Sequence, residues 1–586
     1  MQAAQERSAS GTASLLRDVF IAAALFIATA AFCLWQNTRV AALFDLSYLL
    51  DTSWRIAIGQ LPYRDFPFAH APGTFLLHAA IIKLFGRVYW PHIACAAGES
   101  GAATLLTWRI LLRVLRPLGG RAWWMATLLA ATLVPLGIYS IYPHAIYDGD
   151  AIFAVLLALW LFTRVAESWD RDTACVPQPQ TARAGARRNA IVGASCVLPL
   201  LFKQNIGGAF LAAMVAVVAA ALARAMHRES ARRQLWFLGG MAGAVAVAAL
   251  AIHATVGLAN YRYWTLTFAA QRRLPGIATI LGVYHQSSLL WTVPVALLGF
   301  AILRTRRFHS RPWRSRIFAL LLLAAPFLWM CIALIFTGDP DDRADQLLSQ
   351  WPHLLVLAAL LTAAQAVRFA CGRIAAANAL LPILLLAAIH GTFLSQQLWG
   401  STYAIWPLLL LVIALLLMEM REIATPLAAV ISATLLLCGG LYAASLERLD
   451  YLHLDGPTTH ATLPALRGMA TPGPFLTEFQ DLVRFTDAQI PTSDGIVLIP
   501  GEEPFCFATG RTPQFPVLLT DLATDPYTPE QTAAEMRAHN IRWLIVKRDL
   551  QLAAPPEYET PALLSTVEQD FALYRSLPGY DVYRRR

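Results

Sequence analysis

Carboxylates and cations recur in the polar stretch that follows the first apolar run, Phe44 to Gly86. Asp45, Asp51 and Asp65 supply the acids there, and Arg55 and Arg64 the bases. Further along, Asp148 and Asp150 precede an apolar run. Lys203 stands between two short ones, and Arg272 and Arg273 lie side by side in a longer polar segment. A carboxylate near cations can divide one reaction between them. The carboxylate takes the proton from an attacking hydroxyl, and the cations hold an anionic leaving group such as phosphate. Phosphate leaves without a general acid. One carboxylate acting through the incoming oxygen means single displacement, with inversion at the carbon attacked.

These groups need a scaffold, and the composition makes it a membrane one. Of 586 residues, 57% are hydrophobic and only 14% charged. Apolar runs of about 20 residues, enough to cross ~30 Å of hydrocarbon, recur along the chain. The net charge of +9 comes from short Arg clusters between those runs, so it reports topology and not nucleic-acid binding. The eight Cys show no metal spacing and imply no disulfide framework.

Val19 to Trp35 is the first span, read as a retained anchor leading from inside to outside. The stretch after it folds into two short surface helices, Leu46–Ile58 and Gly73–Phe85, parted by a Gly-Gln-Leu-Pro-Tyr turn. Pro72 to Phe85 would be only ~21 Å of helix, short for a crossing. If it lies flat, the cluster Arg113, Arg116, Arg121 falls inside, as the positive-inside rule favours. Every later basic cluster then lands on the same side. The count is about 13 spans, with the N-terminus inside and the C-terminus outside.

From Glu447 the material changes. Phe475–Ile490 has helical periodicity, Gly495–Pro500 and Arg542–Lys547 read as strands, and Pro529–Asn540 as a helix capped by Thr528. The expected fold is a polytopic α-helical membrane protein with a small C-terminal periplasmic α/β domain. Residues 1–446 form the transmembrane part, with a first outer loop at 36–91, and 447–586 the outer domain. The tail has no phosphate loop and no nucleophile elbow. Its expected role is a cap or an acceptor dock.

Phe44-Asp45, Trp54-Arg55, Gly59, Pro62-Tyr63-Arg64-Asp65-Phe66, Pro72 and Lys83-Leu84-Phe85-Gly86 resemble the first outer loop of bacterial GT-C glycosyltransferases. These are the protein O-mannosyltransferase, aminoarabinose transferase and lipopolysaccharide-core transferase types. Tyr147-Asp148 and Phe202-Lys203-Gln204 are similar to that superfamily as well. The resemblance implies a polyprenyl-phosphate-linked sugar as donor, a hydroxyl on a lipid, glycan or protein as acceptor, and Asp45 as the catalytic acid of the loop. It also implies work at the periplasmic face of the bacterial inner membrane, among membrane lipids and without nucleic acid. This chain departs from the pattern twice. Leu46 stands where a second acid is usual, and His70-Ala71 precedes Pro72 where some members carry a Lys near the donor phosphate.

Phosphate binding then falls to Lys203, Arg272 and Arg273, with Arg55 and Arg64 as supporting contacts, and Asp148 is a candidate for positioning the acceptor. Each has a plainer alternative. Asp45, Asp148 and Asp150 are good helix caps. Asp51 and Arg55 are spaced for a surface ion pair. Arg64-Asp65 suits a solvated turn, and Arg272-Arg273 a solvated loop. Lys203 needs a partner or a wet cavity, and is also the feature a lipid-linked-sugar flippase would need. A non-catalytic envelope scaffold is a third reading. No cofactor is expected. A divalent ion at Asp339, Asp341 and Asp342 stays open, although hard cations want more oxygens than that loop supplies.

Overall fold

The computed structural model describes residues 2–586 apart from 170–178, 226–227, 306–311, 338–346, 348, 375, 396–402, 521–524 and 554–559. The expected acidic cluster Asp339, Asp341, Asp342 lies outside the described residues. Up to Ala444 the fold is a helical body; beyond it is a small mixed α/β region.

The body opens with α1 (Gln2–Asn37), which runs straight through the polar N-terminal lead into the first apolar run. Next come α2 (Leu43–Ala57) and α3 (Gly73–Phe85), the two short helices of the loop, and α4 (Trp90–Leu115). The third expected span is broken into α5 (Arg121–Ala131) and α6 (Leu133–Leu136). Pro135 cannot donate back to the preceding turn, which accounts for the break. α7 (Tyr147–Ala166) leads to α8 (Pro179–Ser195) and α9 (Leu198–Phe202). Lys203 then adopts an extended backbone (φ −145°, ψ 118°) before α10 (Gln204–Ala223). α11 (Arg228–Thr255) follows.

The long polar segment is itself helical: α12 (Leu258–Arg262), a π-helical turn over Tyr263–Phe268, α13 (Ala269–Arg272) and α14 (Ile277–Gly282). The body closes with α15 (Leu289–Arg304), α16 (Pro312–Phe336), α17 (Gln350–Ala370), α18 (Ala376–Thr392), α19 (Trp406–Glu419) and α20 (Ala424–Ala444). Among the described residues, seven helices are long and apolar enough to cross a membrane. Shorter apolar helices accompany them: α3, α15, α19 and the stretch Leu380–Thr392 of α18. α19 is apolar all round and almost wholly buried, from Trp406 to Leu417, as a central helix must be.

In the tail, β3 (Gly495–Ile499) pairs in parallel with β4 (Ile541–Lys547). β6 (Tyr580–Arg585) adds to β4 antiparallel, and β5 (Phe571–Leu577) to β6. β1 (Thr458–His460) and β2 (Ala470–Pro472) form a separate pair. The expected helices are α21 (Phe475–Gln489) and, after the short α22 (Phe505–Thr509), α23 (Pro529–Ala538). Thr528 caps α23 with a full capping box through Gln531.

The tail does not own its core alone. Leu43, Leu46, Leu50, Ile82, Tyr89 and Ile93 of the body pack in one buried cluster with Leu466, Phe475, Phe479, Phe505, Trp543 and Val582. Polar bonds cross the same seam. The Gln551 side chain accepts from Leu43 N at 2.8 Å and donates to Ala41 O at 3.0 Å. Ser47 donates to Gly501 O at 2.8 Å, and Arg87 to Phe507 O at 2.6 Å. Asp51 and Arg55 are not a surface ion pair, because both are buried and both face the tail. Asp51 accepts from the amides of Cys506 (3.1 Å) and Phe507 (2.7 Å), and Arg55 donates to Phe515 O at 2.6 Å.

Burial raises the Asp51 carboxyl to about 7, against the two amides and the Arg55 charge, which favour its ionised form. An unfolded Asp gives up its proton near 4. The native state therefore holds the extra proton between those values, and stability falls as pH rises through that window. We expect thermal melts of the chain in nanodiscs to lose at most about 4 kcal/mol between pH 4 and pH 8 through this group. Asp51→Asn should flatten that slope relative to the parent, and an identical slope in both would show that Asp51 does not titrate there.

Candidate active site

Asp45 sits in the first turn of α2, but it is not the cap: Ala42 holds that position, with no side-chain capping bond. The carboxylate instead accepts from the Tyr451 hydroxyl at 3.2 Å. Tyr142 lies beside the same carboxylate, its buried hydroxyl closing no hydrogen bond of ordinary geometry. Asp45 itself is only partly buried. Burial lifts its proton affinity above the usual carboxylate range, aided by the charge of Asp148 and opposed by the two tyrosines.

Asp148 and Asp150 are not caps either, since Ile146 takes that place in α7 without a side-chain bond. Asp148 forms a buried ion pair with Lys203. Asp150 is buried and accepts from Thr74 of α3 and from Tyr139. Tyr147 links the groups. Its ring stacks on His70 (centroids 4.4 Å apart), Lys203 Nζ stands 4.9 Å from its centroid, and Arg273 lies beside its hydroxyl. The His70 Nδ1 and the Tyr48 hydroxyl are 2.6 Å apart. Burial, and then the Arg273 and Lys203 charges, keep His70 neutral well below the usual histidine range.

His70, Lys203 and Arg273 line one cavity of about 220 Å³, together with Gln204, Asn205 and Thr265. The Asn205 carbonyl oxygen is buried and unpartnered. Local sequence builds this wall. Lys203 is delivered by the non-helical joint between α9 and α10. Gln204, the next residue, accepts from Ala71 N at 3.1 Å and donates to Ala69 O at 2.9 Å. The start of α3 comes so near α9 that a Cβ at Gly73 would meet Leu201 O at 2.6 Å. Thr265, in the π-helical turn, and Arg273, just after α13, complete the lining, and Gln204 also donates to Thr265 O at 3.4 Å.

The fold thus brings Asp45, Asp148, Lys203 and Arg273 into one electrostatic neighbourhood. Three candidates lie elsewhere. Arg55 is committed to the tail. Arg64 is exposed and paired with Asp65 at 2.8 Å, a solvated turn. Arg272 is exposed, with its guanidinium 5.9 Å from the Phe268 ring centroid, and does not line the cavity. Sequence reasoning missed Tyr142 and Tyr451, and it gives Tyr147 and His70, named only for the resemblance, no role of their own. Tyr451 belongs to the segment after Glu447, in which no chemistry was expected.

Tyr451→Phe should leave the fold intact, since it removes one hydroxyl. With one stabilising donor gone, Asp45 should hold its proton more tightly. The acid limb of activity then moves to higher pH, and turnover at neutral pH falls several-fold. A pH–rate profile unchanged in position would remove Tyr451 from the site.

No family model matches the chain, and no curated protein matches its sequence. Among solved structures, it is similar to ArnT from Cupriavidus metallidurans bound to undecaprenyl phosphate. Identity is 12% over 98% of each chain, with a TM-score of 0.43. It is also similar to the oligosaccharyltransferase AglB from Archaeoglobus fulgidus in complex with an inhibitory peptide and a dolichol-phosphate (12%, 90% of this chain and 69% of that one, TM-score 0.43). An Archaeoglobus fulgidus oligosaccharyltransferase in complex with Zn and sulfate matches at 13% identity, over 96% and 73%, with a TM-score of 0.47. All three likenesses are at 12–13% identity with TM-scores of 0.43–0.47, so the chemistry rests on the chain's own residues.

Proposed function

We propose that the chain is an inverting glycosyltransferase. It moves a sugar from a polyprenyl-phosphate donor to a hydroxyl of a lipid, glycan or protein at the outer face of a bacterial inner membrane. One observation carries this reading: a partly accessible carboxylate, Asp45, shares its neighbourhood with a cavity walled by Lys203, Arg273 and neutral His70. In the reaction, Asp45 takes the proton from the acceptor hydroxyl as that oxygen bonds to the anomeric carbon. The bond from that carbon to the phosphate oxygen breaks on the far side. The phosphate departs with its electron pair toward Lys203 and Arg273, and configuration inverts.

Where the family pattern has a Lys before the Pro of the second helix, this chain has Ala71. Gln204 is bonded to the Ala71 amide, so the neighbouring Lys203 supplies the missing cation from another helix joint. Its pairing with Asp148 at the head of α7 also weakens the flippase reading, which leaned on Lys203 alone. About 13 spans and an outer α/β domain at 447–586 complete the proposal. Mass spectrometry of envelope lipids and glycans from a deletion strain tests it. A glycoform lacking one sugar is the expected result, and an unchanged envelope in cells that normally express the chain counts against it.

A further inference from the structure

We propose that Gln551, in the tail, is a positioning residue that keeps the Asp45 carboxylate in reach of the Tyr451 hydroxyl. Its role rests on Asp45 being the base, and it gives the tail a part in the reaction beyond a cap or a dock. Leu43 opens α2, and its N–H has no partner within the helix. Ala42 supplies no side-chain cap. The Gln551 side-chain oxygen accepts that N–H at 2.8 Å, from 508 positions along the chain. The amide nitrogen of the same side chain donates to Ala41 O and to Thr471 Oγ1, each at 3.0 Å. Gln551 is fully buried, so water does not replace these bonds. Asp45 stands in the same turn of α2.

The backbone next to Gln551 holds the Tyr451 segment. Ala553 N donates to Tyr451 O at 2.8 Å, and His453 N to Gln551 O at 2.6 Å. Between them, Leu452 and Leu552 form an antiparallel bridge. Residues 551–553 thus grip the first turn of α2 through one side chain and Tyr451 through the backbone. They are fixed in turn by Glu502, also fully buried, which accepts from Gln551 N at 3.0 Å and from Leu552 N at 2.9 Å. Lys547 pairs with Glu502 and with Glu503, and Glu503 accepts from the Tyr580 hydroxyl at 2.8 Å. Moving Glu502 would strand a buried charge, so the anchor is stiff. Stiffness matters at the far end. The Tyr451 hydroxyl meets Asp45 at 3.2 Å, beyond the ~2.5–3.0 Å usual for such a bond, so a small slip of either partner ends it.

Two variants test this in the full chain in nanodiscs, with transfer from a labelled polyprenyl-phosphate sugar followed across pH. Gln551→Leu removes the side-chain grip. Ala553→Pro removes only the N–H given to Tyr451, at an exposed position. The bridge keeps Leu552 extended, as the residue before a proline prefers, so this variant carries the test if Gln551→Leu fails to fold. We expect each to lower kcat several-fold at unchanged donor KM and to move the acid limb to higher pH, as Tyr451→Phe does. Asp45 also faces Tyr142, Tyr147, Tyr403 and the charge of Asp148, which neither variant alters. Added to Tyr451→Phe, either variant should shift the limb no further, whereas a purely structural loss would add to it. A fluorotyrosine at position 451 gives a reading without catalysis. Its fluorine NMR signal should follow the titration of Asp45, stay flat in Asp45→Asn, and respond at higher pH in both variants. Full transfer by Asp45→Asn would end the base reading, and the fluorine signal would still show whether Gln551 sets the pair. An acid limb and a fluorine titration both at the parent's pH in the folded variants, or limb shifts that add in full to that of Tyr451→Phe, overturn the proposal.

Discussion

Asp45→Asn is expected to lower sugar transfer by roughly 10²–10⁴-fold while leaving the chain folded, the range a positioned general base contributes. The substitution keeps the shape of the side chain, and an amide oxygen still accepts from the Tyr451 hydroxyl. What it loses is the ability to take a proton. Stability should not fall and could rise, because the native site already disfavours the charge at this position. The sign of the pH response follows from the same fact. A base works when deprotonated, so the rate climbs as pH passes the raised Asp45 value, and the acid limb lies above the ordinary carboxylate range. Asp45→Glu keeps the carboxylate but displaces it, and misplacement of about 1 Å is worth about 10²-fold. The measurement is transfer from a labelled polyprenyl-phosphate sugar in nanodiscs, with melting curves alongside. Full activity in the folded Asn variant would remove the base from the mechanism.

The first loop was legible because its signals are local. The turn at Gly59–Pro62 and the short apolar run after Pro72 fix two helices whatever surrounds them, and the structure has α2 and α3 there. Asp51 and Arg55 were misread for the opposite reason. Their spacing of four suits a surface pair, but the surface is covered by a segment some 450 positions later, at Cys506, Phe507 and Phe515. No local pattern announces that.

The same limit hid Tyr142 and Tyr451, ordinary tyrosines until the fold sets them at Asp45. The terminal hairpin is different. A Pro578-Gly579 turn between two alternating runs is a readable signal, and Gly579 takes the positive φ of 72° it needs. Lys203 was singled out correctly as an ammonium that needs company. Its partner could not be named, since Asp148 is on another helix.

That partnership makes the remaining prediction a two-step one. Lys203→Met is expected to damage both stability and donor binding, and Asp148→Asn added to it should repair only the first. Removing one member of a buried pair strands the other charge, at a cost of about 3–5 kcal/mol. With Asn at 148 no stranded charge remains, and the melting temperature should return most of the way. Donor binding should not recover. A cation bonded to phosphate is worth about 1.5–3 kcal/mol, so KM for the lipid-linked donor should rise roughly 10–100-fold in the single and the double variant alike. Arg273→Gln supplies the control from the same cavity. Its side chain is only partly buried, so the same rise in KM should come with little loss of stability. The cycle separates two roles that one substitution confounds. If the double variant regains donor affinity together with stability, Lys203 is a counterion for Asp148, and the phosphate must be held by Arg273 and the neutral wall of His70 and Gln204.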